Sequence, residues 1–402
     1  MPVTTSLHAR HDRIETDTLV VGAGPQALTV LARWACHRPS SVERLVVVDP
    51  SGSWMHAWND QFRRQRIDAL RSPGVHHPDP DLMAFVHRHP DRCPTDHPSA
   101  GRRSASHRGP LRRPETTAFA EFSRDLIERT GLSRRIVPGT VAELRAIDDP
   151  TRQRRWSAVL DDGTAVIARR VVWAGNPRRQ RVPTGVELGS RVLHSNAVDV
   201  GDAAAGECIV VLGGGQTAGQ LALVADRLGA HVALVGRGAR RVADLDVDAG
   251  WLMADRLEPF RSIVDPDERR RIVVDTCRGS MTADLVEELE RSTVQCLEGS
   301  DDVTARSHED GAVVEFAGAT LSVDRVWCAT GSVPDLRVDP ALHRLAVDGA
   351  PHVDGWPVLD DRLEWLDGLH VVGALAALTL GPAAGNLGGA RAAADRLADH
   401  GP

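Results

Sequence analysis

The chain has 402 residues and a formal net charge of −7, with 42% hydrophobic and 26% charged residues. This length suits two or three globular domains, and the negative charge argues against a general nucleic-acid binder. All 48 basic residues are arginines. The absence of lysine and tyrosine excludes a lysine Schiff base and a tyrosine acid or base.

The six cysteines form no close pair, which argues against a zinc site or a redox dithiol. No apolar segment approaches the roughly 20 residues that a membrane span requires, and the N-terminus lacks the apolar core of a signal peptide. We therefore expect a cytoplasmic protein with no membrane partner.

The first predicted strand runs directly into a Gly-x-Gly-x-x-Ala turn and a helix. Gly22 permits the tight turn, and Gly24 lets a pyrophosphate approach the bare backbone. Pro25 and Gln26 open the helix, whose free N–H groups can hold phosphates. The next strand ends at Asp49, where a carboxylate can accept both ribose hydroxyls of an adenosine. Together these elements predict a dinucleotide site.

A turn that ends at Trp54 follows, and then a segment rich in Pro, Arg and His. Its clustered prolines predict a loop, and residues 90–114 are expected to form a long exposed loop. Arg71, His76 and His77 are candidate substrate-side residues, with Arg71 suited to a carboxylate. An ordinary surface role for Arg71 stays open. Together with Asp79 and Asp81, the histidines superficially resemble metal ligands, but the proline-rich loop explains them better, so we expect no metal.

A hairpin followed by a strand that ends in a glycine occurs twice along the chain. In the first copy the hairpin covers residues 156–167 and the strand ends in Ala-Gly at Gly175. In the second copy the hairpin covers residues 312–323 and the strand ends in Ala-Thr-Gly, at Thr330 and Gly331. This repetition predicts two domains of similar design.

The nucleotide signature is also repeated, with Gly213, Gly215, Gln216 and Thr217 in the turn and the start of the helix. The strand after this helix ends at Arg237 rather than at an acid. A carboxylate there would repel a 2′-phosphate, whereas an arginine can form two charge-assisted hydrogen bonds to it. The first copy is thus fitted to FAD and the second to NADPH, with a solvated loop residue as the alternative for Arg237.

The C-terminal segment contains a predicted strand over 369–374, which includes Gly373, and then residues 381–386, ending at Asn386, which open a helix through Leu397. A helix N-terminus in this place would stabilise negative charge on a reduced flavin ring. We predict an α/β fold with two Rossmann-like, doubly wound dinucleotide-binding domains, the NADPH domain being inserted in a discontinuous FAD domain. The expected division is a mobile lead-in at 1–14, the FAD domain at 15–185 and 323–402, and the NADPH domain at 186–322.

These motifs together resemble the class B flavin-dependent monooxygenases, the superfamily of flavin-containing monooxygenases and siderophore-type lysine and ornithine N-hydroxylases. The residues that carry the resemblance are Gly22, Gly24, Ala27, Asp49, Gly52, Trp54, Gly213, Gly215, Arg237, Ala329, Thr330, Gly331 and Pro334. The fingerprint Phe-x-Gly-x-x-x-His of the flavin-containing monooxygenases is not matched, because Gly189 precedes His194 by one residue too many. This departure favours the N-hydroxylase branch.

The resemblance implies FAD and NADPH as cofactors, a C4a-hydroperoxyflavin formed with O₂, and N-hydroxylation of a small amine or amino acid in specialised metabolism. Because the cofactor carries the chemistry, no catalytic residue is assigned. Three alternatives stay open: a disulfide reductase, which needs a close cysteine pair; an NADPH-dependent flavin oxidase or reductase without oxygen insertion; and a non-catalytic flavin-binding partner. Self-association into a homo-oligomer is also left open.

Overall fold

The computed structural model describes residues 13–74, 82–88, 113–148, 154–299 and 302–399. In these ranges the strands are β1 (Arg13–Val21), β2 (Leu45–Asp49), β3 (Ile136–Pro138), β4 (Val141–Asp148), β5 (Arg154–Leu160), β6 (Ala165–Trp173), β7 (Arg178–Gln180), β8 (Gly185–Val186), β9 (Val192–His194), β10 (Cys208–Leu212), β11 (His231–Gly236), β12 (Gln295–Glu298), β13 (Thr304–His308), β14 (Gly311–Phe316), β15 (Ala319–Val323), β16 (Arg325–Cys328), β17 (Ser332–Pro334), β18 (His352–Val353), β19 (Trp356–Pro357), β20 (Glu364–Leu366) and β21 (Leu369–Val371).

The helices of the same ranges are α1 (Pro25–His37), α2 (His56–Arg64), α3 (Leu82–Arg88), α4 (Thr116–Arg129), α5 (Gln216–Arg227), α6 (Ala254–Ser262), α7 (Pro266–Thr276), α8 (Ala283–Arg291), α9 (Pro340–Val347), α10 (Ala377–Leu380) and α11 (Leu387–Asp399). Among the helices that the structure describes, none is both long enough and apolar enough to cross a membrane.

The first sheet has eight strands, in the order β20-β21-β6-β1-β2-β3, with β4 and β5 joined to it through β6. β1 lies between β2 and β6 and is parallel to both. Val20, Val47 and Val172 lie side by side in these strands and are fully buried. Such apolar runs form strands that are covered on both faces. The helices α1 and α11 pack against each other in this domain.

The second sheet is parallel throughout, in the order β12-β11-β10-β16-β9. A separate four-stranded sheet, β15-β14-β13-β8, precedes β16 along the chain and lies beside it. Both sheets place a glycine turn and a helix directly after their central strand, and the second sheet is inserted between β6 and β21 of the first. The predicted α/β fold with two Rossmann-like domains is therefore confirmed.

The structure corrects two of the expected domain boundaries. Strand β16 pairs with β10, so the second sheet extends beyond residue 322, and the chain returns to the first sheet only at β20 and β21. The hairpin-and-strand unit occurs in both domains, which is why β16 could be assigned to either sheet. Strand β1 begins at Arg13, so residues 13 and 14 belong to the first sheet rather than to a lead-in. Residues 1–12 and 89–112 lie outside the described residues.

The two connections between the sheets pair with each other. The first connection contains β7 and the second contains β17, and these strands form an antiparallel ribbon in which Arg178 lies opposite Pro334. Helices α6 and α7 belong to the inserted part of the chain, yet Phe260 and Val273 from them are buried in the core of the first domain. The ribbon and these helices hold the two domains side by side.

Candidate functional site

The first glycine turn contains two glycines that the protein needs for different reasons. Gly22 has φ of +97°, and a Cβ there would lie 3.0 Å from the backbone nitrogen of Gly175. The fold itself therefore demands glycine at this position. Gly24 has φ of −86°, which any residue can adopt, and a Cβ on it would meet nothing within 4 Å. Glycine at position 24 keeps space open in front of the turn.

Helix α1 begins at this turn without a side-chain cap on its first N–H groups. The N-terminus of an uncapped helix offers free N–H donors and a positive dipole end, which suit a phosphate. Pro25 occupies the first helical position, where its missing N–H costs nothing. The turn thus has the open space and the donors that a pyrophosphate needs.

Asp49 lies beside the same turn, at the end of β2. Its Oδ2 accepts a hydrogen bond from the Ala23 N–H at 3.0 Å, and its Oδ1 accepts from the Ser51 N–H at 3.0 Å and the Ser51 hydroxyl at 2.6 Å. These three bonds fix the carboxylate and leave part of its acceptor capacity, because an ionised carboxylate has about four acceptor sites. Its contact with a ribose stays a prediction.

Trp54 lies on the loop after β2, and its side chain is half-buried against the core of the first domain. Its indole N–H donates to the Leu132 carbonyl at 3.1 Å. This donor therefore anchors the loop to the domain, and only the ring is available to a cofactor.

The start of α1 meets the C-terminal segment, which supplies the other predicted flavin-side residues. The Gln26 Nε2 donates to the Asn386 carbonyl at 3.2 Å, and Gly373 packs so closely that a Cβ on it would lie 3.2 Å from Gln26. The Asn386 Oδ1 accepts from the Gly389 N–H at 2.8 Å, near the start of α11. The Gln26 Oε1 is buried and has no hydrogen-bond partner among the described residues. A buried acceptor of this kind fits a bound group that brings its own donor.

The second glycine turn has the same design. Gly213 has φ of +151°, and a Cβ on it would lie 2.4 Å from the Ala329 carbonyl oxygen. Gly215 has φ of −104°, and its Cβ would make only an ordinary contact of 3.6 Å with Gly279. Helix α5 starts after Gly215 without a side-chain cap, so its first N–H groups suit a second phosphate.

Gln216 and Thr217, which were expected to bind the nicotinamide nucleotide, open α5. The Gln216 Oε1 accepts from the Thr282 N–H at 3.0 Å, and Thr282 precedes α8. Gln216 therefore links the starts of two helices, while Thr217 is half-buried in the same turn.

Arg237 directly follows β11 and is exposed. The Val235 carbonyl, two residues earlier, accepts from the Gly213 N–H at 2.9 Å. Arg237 thus lies at the edge of the sheet that carries the second glycine turn, where an adenosine 2′-phosphate would be recognised. Its contact with that phosphate stays a prediction.

Thr330 and Gly331 lie at the root of the interdomain ribbon. The Thr330 hydroxyl donates to the Arg181 carbonyl, and the Gly331 carbonyl accepts from the Arg181 N–H at 2.9 Å. The Gly331 carbonyl also accepts from the His194 Nε2 at 3.0 Å. His194 is buried, and burial lowers the pKa of its imidazole. The sequence named His194 only as a departure from a fingerprint.

Arg71, the candidate for binding a substrate carboxylate, makes its contacts within the protein. Its guanidinium donates to the carbonyls of Ala243, Asp244 and Ser280 at 2.7, 3.2 and 3.1 Å. It also donates to the Ser280 hydroxyl at 2.8 Å and to the Asp246 carboxylate. These contacts use all five of its N–H donors, so none remains for a substrate carboxylate. Arg71 instead ties the first domain to two loops of the second.

Two more arginines of the first domain make similar contacts. Arg64 donates to the carbonyls of Asn196 and Val198, each at 3.0 Å, and Arg113 forms an ion pair with Asp284 at 2.9 Å. We call Arg64, Arg71 and Arg113 the arginine seam. The excess of arginine in this part of the sequence was visible, but its partners lie more than 100 residues away along the chain.

The remaining predicted substrate-side residues, His76 and His77, lie outside the described residues. Within the described ranges, no group of three or more His, Cys, Asp or Glu side chains is placed to hold a metal ion. The five cysteines of these ranges are free and lie on separate elements.

No protein-family model matches the sequence, and no curated protein matches it. By structure, the chain is similar to the ornithine N-hydroxylase of Kutzneria sp. 744, in a form with reduced FAD, NADP⁺ and L-ornithine. The TM-score is 0.75 at 16% identity, over 96% of this chain and 98% of that chain.

Two further solved structures have related folds. For the L-lysine 6-monooxygenase from Pseudomonas syringae the TM-score is 0.71 at 17% identity, over 96% of this chain and 98% of that chain. For the bacillithiol disulfide reductase from Bacillus cereus it is 0.57 at 16% identity, over the same shares. At these identities the likeness establishes the fold and leaves the reaction open. The chain therefore has the two-domain fold of the ornithine and lysine hydroxylases.

Proposed function

We propose that this chain is an FAD- and NADPH-dependent monooxygenase that N-hydroxylates a small amine or amino acid. The observation that carries the proposal is the pair of glycine turns. In each turn the first glycine is required by the fold, whereas the second could carry a Cβ without a clash and lies directly before an uncapped helix. Two such turns in one chain fit two dinucleotides.

The residues of the first domain would hold FAD. The α1 N-terminus would bind the pyrophosphate, Asp49 would accept from the adenosine ribose, and Gln26 would offer its buried Oε1 to the cofactor. Bound FAD, once reduced, supplies the activation of O₂ and the transfer of one oxygen atom to the substrate. The protein positions the reactants and excludes water from them.

The residues of the second domain would hold NADPH. The α5 N-terminus would bind its pyrophosphate, and Arg237 would bind the 2′-phosphate that distinguishes NADPH from NADH. The arginine seam would keep the second domain in place against the first while the hydride is transferred.

The positions of the cysteines favour oxygenation over disulfide reduction as the reaction. A flavin-linked disulfide reductase needs two thiols close together. In the described part of the chain the cysteines lie on separate elements. Two of the similar structures are an ornithine N-hydroxylase and an L-lysine 6-monooxygenase, which favours an amine nitrogen as the acceptor. That nitrogen must be in its free-base form, because a protonated amine has no lone pair with which to attack oxygen.

The test begins with the spectrum of the purified protein and its NADPH consumption. With ¹⁸O₂ and an amine panel of L-ornithine, L-lysine and cadaverine, a monooxygenase gives a product that carries one heavy oxygen atom. An oxidase consumes NADPH and releases only hydrogen peroxide. A colourless protein that neither takes up FAD nor consumes NADPH contradicts the proposal.

Two variants test directly whether the first glycine turn binds FAD. Gly24→Ala should leave the protein folded, since a Cβ there meets no protein atom within 4 Å, but should remove the bound flavin. Gly214→Ala is the matched control, because its Cβ also meets nothing within 4 Å, and it should retain the flavin. Equal flavin content in the two variants would refute the assignment of the first turn to FAD.

A further inference from the structure

Arg178 lies where the glycine-turn edges of the two sheets come together. Three residues before it, Gly175 packs against Gly22 of the first glycine turn. Arg178 belongs to β7, which pairs with β17. Strand β17 begins at Ser332, three residues after Ala329, and Ala329 packs against Gly213 of the second turn. In α/β domains, ligands bind at the carboxyl ends of the parallel strands. Arg178 therefore occupies the junction between two edges that are both suited to ligands.

Some N–H donors of the Arg178 guanidinium have no acceptor among the described residues. Its Nε donates to the Ser332 hydroxyl at 2.8 Å, and one Nη donates to the Ser332 carbonyl at 3.1 Å. The other Nη makes a long contact of 3.5 Å with the Asn176 Oδ1. Three of its five N–H groups are thereby engaged, which leaves two. Among the described residues, no carboxylate lies within ion-pair distance of Arg178.

The surroundings do not neutralise this cation. Burial lowers the pKa of the Arg178 guanidinium, and Arg181 adds a second positive charge nearby. The Cys277 thiol also lies close, but desolvation raises its pKa to about 11, so it is uncharged at neutral pH. The Cys277 thiol donates to the Pro382 carbonyl at 3.5 Å, in the C-terminal segment that meets the start of α1.

Two other arginines at the domain interface differ from Arg178 because each has an anionic partner. The side chains of Arg71 and Arg113 are 11% and 9% exposed, and each forms an ion pair with an aspartate. Arg178 is half-buried and burial lowers its pKa, and a cation that is partly removed from water is normally paired with an anion. The missing partner of Arg178 is therefore best supplied by a ligand.

We propose that Arg178 binds an oxyanion of a ligand that lies between the two glycine turns. This inference rests on the proposed function, which brings two anionic sources to the junction: the carboxylate of an amino-acid substrate and a phosphate of the nicotinamide nucleotide. A guanidinium with two spare N–H groups can bind either of them in a bidentate manner. If the source is the carboxylate, the substrate is an amino acid rather than its decarboxylated amine.

The test compares Arg178→Gln with wild-type protein in the FAD-loaded form. One arm measures the dissociation constant of NADP⁺ by calorimetry. The other measures kcat/KM for L-lysine against cadaverine and for L-ornithine against putrescine, since the amines of each pair differ only by the carboxylate. Loss of a charge-assisted bond should cost about 10-fold to 100-fold in one arm. A weakened NADP⁺ affinity identifies a phosphate, and a loss confined to the two amino acids identifies a carboxylate.

Two controls separate the ligand role from a structural one. Arg178→Lys keeps the charge and should recover part of the lost affinity. Arg179→Gln alters the next residue of the same strand, which is 57% exposed and pairs with Asp335, and should match wild type in both arms. Flavin content and NADP⁺ binding of the wild type report on the proposed function itself. If Arg178→Gln equals wild type for NADP⁺ and for all four amines, the oxyanion site is refuted.

Discussion

The arginine seam predicts that the two domains depend on Arg71 for their relative position. Arg71→Met keeps the aliphatic stem but removes all five N–H donors by which Arg71 reaches the second domain. The acceptors left behind include the Ser280 hydroxyl and carbonyl, and Ser280 is only 1% exposed. Polar groups that lose their partner in a buried place cannot be satisfied fully by water, so the variant should be destabilised.

The expected loss of stability in Arg71→Met depends on how exposed each acceptor of Arg71 is to water. Hydrogen bonds to a charged group contribute roughly 1.5–3 kcal/mol each, but they are not additive. The Asp246 carboxylate is 70% exposed and will rehydrate, so its ion pair contributes little. The part-buried bonds to Ser280 and Ala243 dominate, and we expect a loss of about 2–4 kcal/mol in the free energy of unfolding.

Urea unfolding measures this loss, and stopped-flow reduction of bound flavin by NADPH measures its functional consequence. Arg63→Met is the matched control, because Arg63 also belongs to the first domain but lies in solvent. Among the described residues of the second domain, it reaches only Asp199, at 3.9 Å. The control should behave as wild type. If Arg71→Met unfolds at the same urea concentration as the control and its flavin is reduced at the same rate, the seam does not hold the domains.

Three further outcomes follow from single positions. Arg237→Gln should raise the KM for NADPH at least about 10-fold more than the KM for NADH, as a lost charge-assisted contact predicts; equal rises would contradict its 2′-phosphate role. Gly213→Ala should lower the free energy of unfolding by more than about 2 kcal/mol in urea, because its Cβ would lie 2.4 Å from a carbonyl oxygen at positive φ; wild-type stability would contradict the packing. His194 is held neutral, since burial lowers its pKa, so the unfolded state binds the proton more readily. The free energy of unfolding should therefore fall as the pH drops below about 6.5, and His194→Gln should flatten this dependence.

The sequence predicts those parts of the fold that are determined by residues close together along the chain. Gly22 and Gly213 were found because an apolar strand, a tight turn and a helix follow one another within a few residues. The assignment of β16 was wrong because the same local unit serves both sheets, and only strand pairing decides between them. The hydrogen bond from Gln26 to the Asn386 carbonyl joins residues 360 positions apart, so no local pattern contains it.

The roles of the arginines could not be predicted from the sequence, because they depend on partners that are distant along the chain. Arg71 and Arg178 both lie in arginine-rich stretches, and nothing in those stretches distinguishes a structural arginine from one that binds a ligand. The distinction lies in their partners. Every N–H of Arg71 is engaged across the domain interface, whereas Arg178 is half-buried and has two N–H groups without an acceptor among the described residues. A saturated guanidinium can only hold the structure together, while an unsaturated one at the meeting point of two glycine turns can still bind. We therefore propose Arg178, rather than Arg71, as the residue that binds an anionic group of a ligand.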